Sequence, residues 1–95
     1  MQMSCQKYIT ETKIFSANNS TDTNCNSVAF INTGSVNVTV DNVLLQPNQT
    51  LTIDGNRDEM NVKIYYFNFA SGAGPQLTVV YKRYIKWVES NLAAR

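Results

Sequence analysis

The chain has 95 residues, a formal net charge of +1 and only 16% charged residues. These values allow one domain with a real hydrophobic core, and they exclude both an acidic disordered chain and the strongly basic surface of a general nucleic-acid binder. The sequence contains no histidine, so catalytic triads, the usual general base and most zinc sites lack a residue that builds them. We therefore expect a protein that is not an enzyme and that uses no metal or cofactor.

The N-terminal residues 1–13 lack the apolar segment of a signal peptide, and the longest apolar runs, such as residues 28–31, are four residues long. We therefore expect a soluble protein made in the cytoplasm. Cys5 and Cys25 are the two cysteines. A cytoplasmic origin favours two free thiols, although a bridge formed after release from the cell stays open.

The first half of the chain alternates between strand patterns and polar loops. Residues 6–15 predict a first strand, and residues 16–24 predict a long polar loop that crosses between two sheets. Residues 25–32 are nearly all apolar over Val28–Ile31, which favours a central strand covered on both faces.

The segment from Asn32 to Ile53 has the clearest pattern of strands and turns. Valines at positions 36, 38 and 40 alternate with polar residues, as in a half-buried strand. Asp41-Asn42 tolerates the positive φ of a tight hairpin, and Pro47-Asn48 predicts a second turn. This pattern predicts a β-meander of three short strands.

Two more strands complete the predicted domain. Residues 61–69 place Val62, Ile64 and Tyr66 on one face and Lys63, Tyr65, Phe67 and Phe69 on the other. Residues 76–85 place Leu77, Val79, Tyr81 and Ile85 on one face, interrupted by Arg83. The spacing predicts an all-β, antiparallel β-sandwich of about seven strands over residues 1–85, either immunoglobulin-like or jelly-roll-like.

Residues 86–95 change character and predict a docking tail. Ile85, Val88 and Leu92 have helical spacing, but so short a helix is ordered in water only by docking. We predict that this region contacts a partner, with Trp87 as the hot spot. The candidate contact residues are Tyr84, Ile85, Trp87, Val88 and Leu92.

Aromatic residues crowd the last two strands and the tail, and roughly half should be core. An exposed surplus indicates a partner surface, and burial in a protein assembly is the preferred interpretation. One alternative is stacking on carbohydrate. Another is single-stranded nucleic acid bound by Lys82, Arg83 and Lys86 together with the interleaved Tyr84 and Trp87, as in an OB-fold.

The acidic loop at residues 54–59 is predicted to be a polar turn. Side-chain oxygens occur at alternate positions in Asp54, Asn56 and Asp58, as calcium ligands do, but Glu59 stands where an EF-hand needs glycine, and Arg57 adds a repelling charge. We therefore predict no metal site there.

The segment from Phe30-Ile-Asn-Thr-Gly34 through Val36–Ile53 resembles a module of tailed-phage virion proteins. That module runs F-x-N-x-G, alternating Val/Thr, D-G or D-N, L-x-P-G and a short strand, and its final strand ends in basic and aromatic residues. It is found in small β-sandwich capsid-decoration and head-fibre proteins, those of crAss-like gut phages included, and the likeness extends from Phe30 to Ile85. Asn42 and Asn48 stand here where glycine is commoner. The resemblance implies an oligomeric structural subunit of a virion, bound to capsid or fibre subunits and displaying a host-facing or mucus-facing surface.

Overall fold

The computed structural model describes residues 7–85, which form eight β-strands and no helix. The strands are β1 (Lys7–Phe15), β2 (Asn19–Asp22), β3 (Ser27–Asn32), β4 (Val38–Val40), β5 (Val43–Leu45), β6 (Thr50–Ile53), β7 (Ile64–Phe69) and β8 (Leu77–Ile85). Cys5 and the predicted docking tail at residues 86–95 lie outside the described residues. Within residues 7–85, no helix could serve as a membrane span.

The strands form two four-stranded sheets, in the orders β1-β8-β3-β6 and β2-β7-β4-β5. All pairs are antiparallel: β1 pairs with β8, β2 with β7, β3 with β6 and β4 with β5. In addition, β8 pairs with β3 and β7 pairs with β4, which joins these four pairs into the two sheets. The prediction of an antiparallel β-sandwich is confirmed, and its strand order is that of a jelly roll.

The core lies between the two sheets and follows from the period-2 alternation of the strands. In β8, Leu77, Val79 and Tyr81 are buried while the residues between them are only partly so. In β7, Tyr65 and Phe67 are buried while Ile64 and Tyr66 are exposed, which follows the predicted division of this strand into two faces. The other buried hydrophobic residues are Cys25, Val28, Phe30, Val38, Val40 and Leu45.

The hairpin between β4 and β5 is confirmed, but the three-stranded meander is wrong. Asp41 and Asn42 have φ values of 47° and 71°, the backbone of a type I′ turn. Asn48 also has positive φ, at 72°. The turn around it, however, carries the chain out of the sheet of β5, so that β6 pairs with β3 in the other sheet.

The prediction that segment 16–24 is a loop joining strands of different sheets is wrong, because β1 and β3 lie in the same sheet and the segment contains β2, a strand of the other sheet that the sequence did not reveal. Its sequence is polar, and β2 is held mainly by pairing with β7. The Thr21 hydroxyl is buried and forms a hydrogen bond with the hydroxyl of Tyr81 across the sandwich. The domain therefore has eight described strands instead of the predicted seven.

The central position of β3 is confirmed, since β8 and β6 flank it, but its coverage on both faces is wrong. Val28 and Phe30 face the core, whereas Ala29 and Ile31 are only half-buried on the outer face of the sheet. Within residues 7–85, no second layer covers that face.

Candidate partner-binding surface

Two of the predicted contact residues, Tyr84 and Ile85, end the last described strand. Tyr84 is half-buried on the outer face of the β1-β8-β3-β6 sheet, and Ile85 is 38% exposed at its margin. The other three, Trp87, Val88 and Leu92, lie outside the described residues.

Tyr8, Lys82 and Tyr84 form a tyrosine–lysine cluster on this outer face. The pairing of β1 with β8 places Tyr8 directly opposite Tyr84 and Thr10 opposite Lys82. The two tyrosine rings meet edge to face with their centroids 5.8 Å apart. The Lys82 ammonium nitrogen lies 4.3 Å from the centroid of the Tyr8 ring and 5.0 Å from that of Tyr84. These cation–π contacts fix two apolar rings around one charge, which suits a partner with both apolar and acidic groups.

Arg83 does not join this cluster, because it points to the opposite face of the strand. Its guanidinium donates to the Glu11 carboxylate at 2.9 Å and to the carbonyls of Asn24 and Thr23 at 3.0 and 3.3 Å. The predicted nucleic-acid row of Lys82 and Arg83 is therefore divided between two faces, and Lys86 lies outside the described residues. Arg83 serves the fold by tying β8 to β1 and to the segment after β2.

A groove of about 340 Å³ lies beside the cluster, and we call it the 55–58 groove. Its walls are Gly55, Asn56, Arg57, Asp58 and Tyr84. It combines an aromatic ring with an amide, a carboxylate and a guanidinium, the groups with which proteins stack on and hydrogen-bond to small polar ligands.

The buried side chain of Asn26 holds the wall of this groove in place. Its amide donates towards the carbonyls of Asn56, Arg57 and Glu59 at 3.1, 3.2 and 2.8 Å. Its carbonyl accepts a hydrogen bond from the backbone N–H of Tyr84 at 2.8 Å. One asparagine thus fastens the loop at 54–60 to the end of β8, where the aromatic side of the groove begins.

Only glycine at position 55 allows the loop to lie this close to the backbone of Asn26. A Cβ atom at this position would lie 2.3 Å from the backbone carbonyl oxygen of Asn26, which is a clash with rigid backbone. The Gly55 amide also donates to the Ser27 hydroxyl at 3.1 Å. The loop predicted as a polar turn is therefore pinned against the start of β3.

A second exposed apolar area lies on the outer face of the other sheet. Ile64 and Tyr66 are exposed on β7, Tyr66 by 61%, with Val62 exposed just before the strand. Tyr66 supplies an aromatic side chain that is exposed but remote in the fold from the tyrosine–lysine cluster. The predicted division of the aromatic residues into core and surface holds within the described residues: Tyr65, Phe67 and Tyr81 are buried, and Phe69 is half-buried.

Tyr8, Asn26 and the groove residues 55–58 were missed as site residues. Tyr8, Thr10 and Thr12 share one face of β1, but only the pairing of β1 with β8 shows that Tyr8 meets Tyr84. No local pattern marks Asn26, because its partners lie 30 and more positions away in the sequence.

The titratable groups of residues 7–85 include two whose pKa values are shifted by burial. No three residues among histidine, cysteine, aspartate and glutamate come together in a way that could hold a metal ion there. Burial raises the pKa of the Cys25 thiol, which keeps it protonated and unreactive at neutral pH. Burial likewise raises the pKa of the Tyr81 hydroxyl, although the hydrogen bond with Thr21 opposes that shift.

Comparisons of the chain with protein-family models, curated proteins and solved structures gave no match.

Proposed function

We propose that this protein is a non-enzymatic structural subunit of a tailed-phage virion, as a capsid-decoration or head-fibre protein. It binds neighbouring capsid or fibre subunits through the tyrosine–lysine cluster and the residues that follow β8. The segment from Phe30 to Ile53 supports this role by its resemblance to such proteins, and viral capsid subunits are among the proteins built on jelly rolls. The fold supports it by analogy only, because one fold hosts many functions.

The observation that carries the proposal is the position of the cluster. Tyr8, Lys82 and Tyr84 surround the end of the strand that leads into residues 86–95, where Trp87, Val88 and Leu92 occur. Aromatic anchors next to an apolar segment are typical of the buried centre of an interface.

The test measures how many copies of the subunit each purified particle carries, by quantitative mass spectrometry of particles made with variant chains. Trp87→Ala and Tyr84→Ala should each weaken attachment about 30-fold, the effect of losing a hot spot worth about 2 kcal/mol. Tyr66→Ala is the matched control, since it removes an exposed tyrosine from the other sheet. Normal incorporation and an unchanged oligomer size with both Trp87→Ala and Tyr84→Ala would overturn the proposal.

A second candidate function, carbohydrate binding, is favoured by the 55–58 groove. A sugar ring can stack on Tyr84 while Asn56, Arg57 and Asp58 form hydrogen bonds with its hydroxyl groups. Lectin domains are also built on jelly rolls. In this role the protein is an adhesin-like module that displays the groove to a glycan.

A glycan array and calorimetry separate the two functions. Carbohydrate binding predicts that Asp58→Asn and Tyr84→Ala each abolish binding of the glycan, while Trp87→Ala and Tyr66→Ala leave it unchanged. If the protein instead attaches to particles, Trp87→Ala should weaken that attachment and Asp58→Asn should leave it unchanged. A glycan that binds Asp58→Asn as tightly as the unmodified chain excludes the groove as its site.

A further inference from the structure

The strand β1 is long, yet all of its residues are at least partly exposed. It has nine residues, and none of them is buried. Tyr8, Ile9 and Ile14 are exposed by 53%, 53% and 62%. Within the described residues β1 pairs only with β8, and no described strand forms hydrogen bonds with the far edge of residues 9–15. A long edge strand with exposed apolar side chains readily pairs with another strand.

We propose that β1 pairs edge to edge and antiparallel with β1 of a second copy of this chain. The two-fold axis passes through Thr12, and the two four-stranded sheets become one continuous sheet of eight strands. This interface does not rest on the proposed virion role, because it uses the edge of β1 and not the cluster or the tail.

The charges of β1 select this register. A symmetric antiparallel pair places one residue opposite itself on the two-fold axis, and each residue faces one at the same distance beyond the axis. Centring on Glu11 opposes two carboxylates, and centring on Lys13 opposes two ammonium groups. Centring on Thr10 opposes Lys7 to Lys13. A two-fold axis at Thr12 instead places Glu11 of one copy opposite Lys13 of the other, and by symmetry the dimer contains two such pairs.

Centring on Ile9 also pairs opposite charges, but it overlaps only residues 7–11. The Thr12 register overlaps residues 9–15, nearly the whole of β1. It also places Ile9 opposite Phe15 on the face that looks towards the other sheet, where both side chains gain apolar cover. Like charges directly opposite each other destabilise a sheet, whereas apolar and oppositely charged pairs stabilise it.

In a single chain, the contact between Glu11 and Lys13 leaves both groups available to pair with a second copy. The Lys13 ammonium lies 4.0 Å from the Glu11 carboxylate of its own chain, a long contact between half-exposed side chains. Glu11 is held at its other oxygen by Arg83 at 2.9 Å. Glu11 can therefore keep Arg83 and receive the partner's Lys13, which stays on the surface in either state.

The dimer has a consequence for the candidate surface. A two-fold axis perpendicular to the sheet keeps both outer faces on the same side. The two tyrosine–lysine clusters then lie about 27 Å apart along the strand direction, from eight residues at about 3.4 Å each. One partner surface with repeated sites could engage both clusters and gain avidity.

Charge exchange tests the interface in solution by analytical ultracentrifugation. Lys13→Glu and Glu11→Lys should each raise the dimer dissociation constant about tenfold or more, because every Glu11–Lys13 pair becomes a like-charged pair. An equimolar mixture of the two variants should form a heterodimer, since Lys at both positions of one chain then faces Glu at both positions of the other. Circular dichroism confirms that each variant is folded. A folded protein that is monomeric at every concentration, or a dimer that neither variant weakens, would overturn the inference.

A disulfide tests the register independently. In the Cys5→Ser background, Thr12→Cys should give a cross-linked dimer under mild oxidation, because self-opposed Cα atoms lie about 4.5–5.5 Å apart. Thr10→Cys is the matched control on the same face, and its two copies lie about 14 Å apart along the strand in this register. Equal cross-linking of the two variants, or cross-linking of Thr10→Cys alone, would refute the pairing at Thr12. A dimer that forms without particle attachment leaves this inference intact and counts against the virion role alone.

Discussion

Replacement of Asn26 by alanine should cost about 3 kcal/mol of the free energy of unfolding. The side-chain amide has two hydrogens directed at three loop carbonyls, and its carbonyl accepts from the amide of Tyr84. That is the equivalent of about three hydrogen bonds, each with a net value of about 1 kcal/mol. For a domain of this size the loss lowers the melting temperature by about 12–24 °C.

The assay is thermal and urea unfolding followed by circular dichroism, with Asn68→Ala as the matched control. Asn68 is exposed on the outer face of β7, and its loss should change the free energy of unfolding by less than about 0.5 kcal/mol. Asn26→Asp retains the acceptor for the Tyr84 amide but loses the donors, so the loop at residues 55–59 should exchange its amide hydrogens faster while the end of β8 stays protected. If Asn26→Ala unfolds within 1 kcal/mol of the unmodified protein, the groove is not held by this side chain.

Two further predictions concern a buried thiol and an exposed ion pair. In the Cys5→Ser variant, Cys25 should react with a thiol reagent only after unfolding, because it is fully buried and burial raises its pKa; fast labelling of the native protein contradicts this. The hydrogen bond with Lys63 lowers the pKa of Asp41 below its usual 3.8, and the same bond raises that of Lys63 above 10.5. The ion pair of Asp41 and Lys63 therefore stabilises the fold at pH values between these two pKa values. This stabilisation is lost as the pH falls through the folded pKa of Asp41 or rises through that of Lys63. Asp41→Asn keeps the turn but removes the pair, so the difference between its urea midpoint and that of the unmodified protein should shrink below about pH 4; a difference that stays constant with pH refutes this contribution.

Local chemistry was enough to predict the hairpin and the two faces of the later strands. Asp41-Asn42 takes positive φ at both positions because these residues accept that conformation at small cost. Alternation predicts which residues of β7 and β8 share a face, and the burial of one face follows from the packing of the two sheets. Both features depend on residues that are close together in the sequence.

The choice of strand partner was not predictable in this way. The turn after Pro47 could have returned β6 to β5, and its sequence suits either outcome. Instead β6 pairs with β3, because the backbone N–H of Asn48 donates to the Asn32 carbonyl at 2.8 Å and the Asn32 amide donates to the Leu45 carbonyl at 2.9 Å. A buried asparagine, and not the turn itself, directs the chain from one sheet to the other. The four residues of β2 were missed for a related reason, since a polar strand with a single buried threonine is a strand only where β7 supplies its partner.

The candidate surface depends on a long-range register more than on any motif. From the sequence, Tyr84 and Ile85 could be proposed as contact residues, because aromatic and apolar residues collect at the end of the last strand. Tyr8 could not, because it contacts Tyr84 and Lys82 only when β1 and β8 pair in the observed alignment. A slip of one residue would turn Tyr8 to the inner face, separate Glu11 from Arg83 and leave the Lys82 ammonium without its first ring. The bond between Glu11 and Arg83 on one face and the cation–π contacts on the other therefore specify the same register from both sides, and the fold and the candidate surface depend on that one register.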